Sequence, residues 1–388
     1  MMKPWKLAAA ILLGTLILTS AFAAGYTLAA RRADVGFPLV MQARRLIDEH
    51  FIDPLPDDLT LERGMIRGLV GSLGDRYTTY NEPAQHELQT DQLTGSYGGV
   101  GAQLLRDEAG KTHLVPFPGG PAERAGVVEG DVLTHVDDVS IEPAMSLDQI
   151  SALIRGPVGS VVELTLAPRT GESEPREVRV SREEFPLPSI TSYRLPDDPR
   201  IGAIVISVFS DKTPQELDAA VTRLVGEGCL AMVLDLRGNS GGLLDSAVRV
   251  ARYFLSDGLV LIEQRREQVE ESFRVESPGA GATLPLVVLV DEGTASAAEI
   301  VAAALQANER APLIGSPTFG KGSVQVVLEM EDGSSLQVTN ARWLTPNRIT
   351  LDGTGLQPDI AAATAAEGQD AALMAAAGWL SEAIRGNP

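Results

Sequence analysis

The sequence is poor in the residues that build disulfides and metal sites. Among 388 residues there is one cysteine, Cys229, and there are four histidines, His50, His86, His113 and His135. A single cysteine excludes an internal disulfide. Its neighbours Gly228, Leu230 and Ala231 mark it as a small core residue. No histidine has metal-ligand spacing to another histidine or to the cysteine, and neither CxxC nor HExxH occurs. No metal site is expected. Positive charge is also scarce, with 32 Lys and Arg against 52 Asp and Glu, a net charge of −20. That balance argues against nucleic acid and anionic surfaces as partners.

The amino terminus speaks to location. Lys3 and Lys6 precede an uncharged run over residues 7–30, which Arg31 and Arg32 close. The run is long enough to cross a bilayer as a helix. It also holds the small-residue pattern of a cleavage site at Ala21-Phe22-Ala23. Residues 1–32 are therefore a signal peptide or a signal anchor. Arginines on the far side run against the positive-inside rule, and both readings stay open. Either sends the rest of the chain out of the cytoplasm.

Residues 286–325 carry the chemistry. LVVLV reads as a buried strand, Asp291-Glu292-Gly293 as a turn, and the run rich in Ala, Ile and Leu after it as a helix. Ser296 falls where strand gives way to helix. The first-turn N–H groups of a helix lack internal partners, and the dipole there favours negative charge. An oxyanion formed at Ser296 would meet donors already aimed at it. Downstream, TFGKGSVQ reads as a glycine-flanked turn entering a strand. Alternation along a strand would put Lys321 and Gln325 on one face. Lysine takes a proton from serine only when burial lowers its pKa, and Phe319 and Val324 are placed to exclude water. Gln325 is the uncharged candidate to orient it. Singly, such a serine is more often an N-cap and such a lysine a solvated charge.

The remaining chain is expected to be α/β and multidomain. Residues 33–94 read as a small helical region, with helical apolar spacing over 39–50 and 59–73. Residues 95–182 change to glycine, valine and short alternating runs, a small β-rich domain. Residues 183–388 alternate strand and helix and end in an Ala-rich helix, the rhythm of an α/β layer. Sites in such layers gather at the carboxyl ends of strands, which places the glycine loop at 237–242 near Ser296. The charged run over 260–275 reads as a solvated hairpin or flap.

The segments DEGTASAAEIVAAALQ, TFGKGSVQ and LDLRGNSGGLLDSAV resemble those of the carboxy-terminal processing peptidases, or tail-specific proteases. These are serine peptidases with a Ser–Lys catalytic pair and an inserted PDZ domain. The resemblance implies Ser296 as nucleophile, Lys321 as general base, Gln325 as the residue orienting it, and the backbone N–H groups of Gly242 and Ala297 as oxyanion donors. Two places depart from the usual pattern: Ala298, where the family often has serine, and Gly238-Asn239-Ser240, where many relatives have Asn-Asn-Pro. GSYGGVGAQL at 95–104, PAERAGVVEGDVL at 121–133 and GPVG at 156–159 resemble a PDZ domain. By that likeness Val100, Gly101 and Ala102 bind a terminal carboxylate through their N–H groups, and Leu147, Ile150 and Ile154 line the apolar side of the pocket.

The resemblance thus implies an α/β protease core with an inserted β-rich PDZ domain and a small N-terminal helical region. Its partner is a protein or peptide substrate with a free C-terminus, and no cofactor is implied. The expected location is extracytoplasmic, in the bacterial cell envelope, with the membrane a partner if residues 1–32 stay attached. Homo-oligomerisation stays open. Two other readings compete: an inert membrane-tethered PDZ scaffold, and a Ser–His–Asp hydrolase using His113 or His135.

Overall fold

The computed structural model describes Thr19 and residues 37–107, 109–168, 174–362 and 370–386. The expected signal peptide or anchor lies outside the described residues, apart from Thr19. Among the described residues no helix is long and apolar enough to cross a membrane. Two compact units divide the chain between Gly68 and Leu69.

The first unit holds the helix Pro38–His50 and most of the helix Asp58–Gly71, neither with a buried residue. Arg44 ties them, reaching Asp48 at 2.8 Å and Asp58 at 3.0 Å.

The second unit is built on a six-stranded sheet. Its order is Ile190–Arg194, Ile201–Ile206, Ala231–Asp235, Leu286–Val290, Leu313–Gly315, Ile360–Ala361. The first pair is antiparallel and every later pair parallel. Parallel strands buried on both faces need continuous apolar sequence, and AMVLD and LVVLV supply it, each residue being buried. Alternation then sorts the side chains. Met232, Leu234, Val288 and Val290 face the helices Thr213–Gly226, Leu244–Phe254 and Ala297–Ala307. Ala231, Val233, Val287 and Leu289 face the C-terminal helix Ala371–Gly386 through Ala372, Ala376 and Leu380.

A second, antiparallel sheet joins Thr79–Asn81, Ser335–Leu344, Leu259–Arg265 and Glu270–Arg274, and Ser323–Glu329 also pairs with Ser335–Leu344. Two expectations change here. The stretch 33–94 is not helical throughout, because Thr79–Asn81 is a strand paired with residues 335–337. The charged hairpin is only half solvated. Its first strand buries Val260, Leu261, Ile262 and even Glu263, which Arg265 holds at 2.8 Å. Charge in the sequence marked the second strand and missed the apolar start of the first.

A separate six-stranded antiparallel sheet is drawn from residues 102–181, with its own core around Leu114, Ile150, Leu164 and Val180. The chain enters it through Ser96–Gly99 and leaves through Glu183–Pro186. These two strands pair with each other, Ser96 opposite Pro186 and Gly99 opposite Glu183. Tyr97 stacks on Phe185 at 5.5 Å. An insertion closed at its neck in this way leaves the host sheet's order undisturbed.

Leu380 is fully buried on the outer face of the main sheet. Leu380→Ala is expected to cost about 2–5 kcal/mol, read as a lower urea midpoint with an unchanged slope.

Candidate active site

Ser296 opens the helix Ala297–Ala307 with φ 54° and ψ −117°. A non-glycine residue there carries strain of about 1–3 kcal/mol. Such strain persists only where the surroundings over-determine the backbone. Here Asp291 Oδ1 accepts from Gly238 N, Gly293 N and Thr294 Oγ1 at 2.9–3.1 Å. Thr294 Oγ1 reaches Leu236 O at 2.9 Å, and Ala295 N donates to Asn239 O at 2.9 Å. The turn before Ser296 is thereby sewn to the loop after the strand Ala231–Asp235. Asn239 is fully buried. Its Nδ2 donates to Ile206 O and its Oδ1 accepts from Gly241 N, both at 2.8 Å.

This brings the glycine loop against the serine. Gly241 has φ 115°, and a Cβ on it would stand 2.9 Å from Ser296 Cβ. Gly242 has φ 140°, and its Cβ would stand 2.3 Å from Phe209 O. Around Gly242 the bonds run from Phe209 N to Gly241 O and from Leu243 N to Phe209 O. Neither the Gly242 N–H nor the Ala297 N–H has an acceptor among the described residues.

The lysine arrives from another direction. Glu299, fully buried in the first turn of the helix, accepts four hydrogen bonds. They come from Ser296 N at 2.9 Å, Thr318 Oγ1 at 2.6 Å, and Gly320 N and Lys321 N at 2.8 Å each. Oε2 receives both the Ser296 and the Lys321 amide. One oxygen thus sets the two backbones side by side. Trp343 Nε1 donates to Lys321 O at 3.0 Å, fixing the other side of that peptide. The Lys321 ammonium forms no hydrogen bond with a described residue, and lies 5.1 Å from the Tyr77 ring centroid. Burial pushes its pKa below the ordinary lysine value, opposed by the charges of Asp75 and Glu299.

Ser296, Ala297, Gly242, Lys321 and Gln325 all line one cavity of about 270 Å³. Gln92 and Leu93, on the helix Pro83–Thr94, close it from the side. The reason given for Gln325 changes. The strand begins at Ser323, beyond Lys321, and its register slips between Val324 and Gln325. Alternation therefore does not relate the two residues. Gln325 Nε2 donates to Ser323 Oγ at 2.9 Å and Thr339 Oγ1 at 3.2 Å, not to the lysine.

Against the expectation that no Gly-x-Ser-x-Gly motif is present, residues 238–242 read Gly-Asn-Ser-Gly-Gly and have that spacing. Ser240 at its centre lines the cavity, but φ is not positive there and no histidine lies in the cavity wall. The histidines of the competing hydrolase reading lie in the inserted sheet. His113 is bound to Gly130 O and Asp107, and His135 contacts Thr134.

A second groove, of about 220 Å³, lies in the inserted domain. Val100, Gly101 and Ala102 form one side, and Leu147, Ile154 and Arg155 the other. Ile150 does not reach it. On the helix Leu147–Ile154, positions 147, 151 and 154 share a face, and Ile150 is rotated from it into the core.

Glu299 escaped the sequence reading. Its signal was the Ser-x-x-Glu spacing of a capping box. Glu299→Gln would turn an NH₂ toward N–H donors. It is expected to cost about 1–3 kcal/mol of stability and to lower kcat more than tenfold, measured by denaturation and steady-state kinetics. Gly241→Ala is expected to lower kcat by about 10²-fold through displacement of Ser296, with KM changed less.

Residues 200–362 match the profile of Peptidase family S41, and residues 116–168 that of the PDZ domain. The carboxy-terminal processing protease CtpA of Bacillus subtilis is 34% identical over 333 residues, covering 86% of this chain and 70% of its own. A probable CtpA-like serine protease of Staphylococcus aureus is 32% identical over 368 residues, covering 92% and 73%. The solved photosystem II D1 C-terminal processing protease is 29% identical, covering 86% of this chain and 89% of that one, with a TM-score of 0.48. By the two profile matches and its identity to the Bacillus and Staphylococcus proteases, the chain belongs to peptidase family S41, as a serine-type peptidase of the carboxy-terminal processing group that carries a PDZ domain.

Proposed function

We propose that the chain is an extracytoplasmic endopeptidase that takes hold of a protein substrate by its free C-terminus and cleaves it with a Ser296–Lys321 pair. The observation carrying the chemistry is the shared Glu299 oxygen, which sets the two residues together at one cavity.

Neutral Lys321 Nζ takes the Ser296 hydroxyl proton as Oγ bonds to the scissile carbonyl carbon. The oxyanion develops beside the unpartnered N–H groups of Gly242 and Ala297. As the C–N bond breaks, Lys321 returns the proton to the leaving amine. A water then gives its proton to the same lysine as its oxygen bonds to the ester carbon, and as the acyl group leaves Ser296 the lysine returns that proton to Oγ, which restores the neutral amine and the hydroxyl. Gln325 forms a polar wall of this cavity rather than a direct bond to the lysine. The substrate C-terminus is read in the second groove, with its carboxylate on the N–H groups of Val100, Gly101 and Ala102 and its last side chain against Leu147 and Ile154. An extended peptide can add beside the strand Ala102–Arg106 in that position. The extracytoplasmic setting rests on residues 1–32.

The test is cleavage of an unfolded protein by the chain lacking residues 1–32. Ser296→Ala and Lys321→Ala, both folded, are each expected to lose at least about 10³-fold in kcat. Full activity of Lys321→Ala overturns the mechanism. Because the base must be neutral, kcat/KM is expected to rise with pH through the lowered Lys321 value. That limb lies below the ordinary lysine range.

A further inference from the structure

The turn of residues 74–77 stands against the lysine. Gly74 takes φ 66°. Asp75 Oδ1 accepts from Tyr77 N at 3.1 Å, and Oδ2 from Thr78 Oγ1 at 2.6 Å. Thr78 Oγ1 in turn accepts from Thr339 N at 3.1 Å, and Thr79 pairs with Gln337. The turn is thus fastened to the same long strand that carries Trp343, whose indole binds Lys321 O. Tyr77 is half-buried, and its buried hydroxyl has no partner at hydrogen-bond geometry among the described residues, with the Arg76 side chain beside it. A polar atom left so is costly unless the ring's position demands it. One such demand is visible. The Lys321 amine lies 5.1 Å from the ring centroid, while the Arg76 guanidinium lies 4.6 Å from that centroid and 5.7 Å from that of Phe319.

We propose that Tyr77 and Asp75 are positioning residues for Lys321: the Tyr77 ring is the wall that keeps water from the amine, and the Asp75 carboxylate holds the turn that carries the ring. This rests on the reading of Lys321 as general base. Asp75 from the turn and Glu299 from the helix are the charges that act on the amine, and Arg76 and Asp352, whose Oδ1 accepts from Gly322 N at 3.3 Å, are charged groups near the Tyr77 ring and hydroxyl beside it. Desolvation is the largest influence on Lys321 and lowers its pKa, while Asp75 is the first of the charges that raise it. Burial also pushes the Tyr77 hydroxyl up, so it stays a neutral phenol beside the amine. One turn therefore supplies both the dehydrating surface and the carboxylate that opposes it.

The experiment is kcat/KM against pH, on an unfolded protein substrate, for Tyr77→Ala, Tyr77→Phe and Asp75→Asn. Tyr77→Ala admits water. Its rising limb is expected to move to higher pH, with kcat/KM about threefold to tenfold lower at neutral pH and regained at alkaline pH. Tyr77→Phe keeps the wall and is expected to keep the limb where it stands. Asp75→Asn keeps the acceptor for Tyr77 N and removes the charge, and its limb is expected to move to lower pH. A folded Tyr77→Ala with an unmoved limb, or with a loss equal at every pH, overturns the proposal. If Tyr77→Ala does not fold, an unmoved limb in Asp75→Asn overturns it. Activity surviving in Lys321→Ala defeats the general-base reading instead. The wall is then judged by the ¹³Cε titration of Lys321 in Ser296→Ala, with and without Tyr77→Ala. An upward move supports the wall, and no move overturns it.

Discussion

A buried carboxylate holds this site together. Glu299 has no exposure to water, and a charge in that position is tolerable only when fully hydrogen-bonded. Its donors come from the peptide of Ser296 and from the loop 318–321. The helix start and the lysine loop are otherwise separate in sequence and belong to different layers. The need to satisfy one carboxylate brings them to a common point. Thr318 extends the arrangement, since its Oγ1 donates to Glu299 and accepts from Leu356 N at 2.8 Å. Loss of that carboxylate would therefore disturb three segments together.

The glycine loop obeys a different constraint, which is space. Gly241 and Gly242 both take positive φ, and each meets backbone or the Ser296 side chain where a Cβ would stand. The Ala297–Ala307 helix is buried all round from Ala297 to Leu305, so it cannot retreat to make room. Small residues on one side and a fixed helix on the other leave the Gly242 and Ala297 N–H groups at the cavity without acceptors among the described residues. Strain at Ser296 is tolerated because Asp291, Thr294 and Asn239 fasten the turn before it to the loop that follows the strand Ala231–Asp235.

The inserted domain joins the same cavity through its neck. The helix Pro83–Thr94 precedes the strand Ser96–Gly99, and Gln92 and Leu93 near its end line the cavity. Leu93 O accepts from Asp211 N at 2.8 Å, and Lys212 reaches Glu184 at 2.7 Å. The neck is thus anchored to the segment that leads into the helix Thr213–Gly226, on the catalytic side of the main sheet.

Much of this was legible in the amino-acid order. Continuous apolar runs such as LVVLV marked the parallel strands, because a strand buried on both faces cannot alternate. Ser296 at a strand-to-helix turn, the paired glycines at 241–242 and the lysine between glycines were visible because each is a local backbone requirement. Periodicity states where a side chain lies on its own element, and says nothing of what a distant element brings to it. For that reason Gln325 was placed with Lys321 by an alternation that starts only at Ser323. Ile150 was placed in a groove its own helix turns away from. The Ser-x-x-Glu spacing marks Glu299 as a cap but not as the acceptor of the 318–321 loop, and the Gly-Asp-x-Tyr run that ends at Tyr77 marks a turn but not the lysine it faces. The sequence alone determined the order of layers and the chemistry available. Which groups share an oxygen, a ring or a cavity was decided by tertiary packing, where burying one carboxylate requires donors from two separate segments at once.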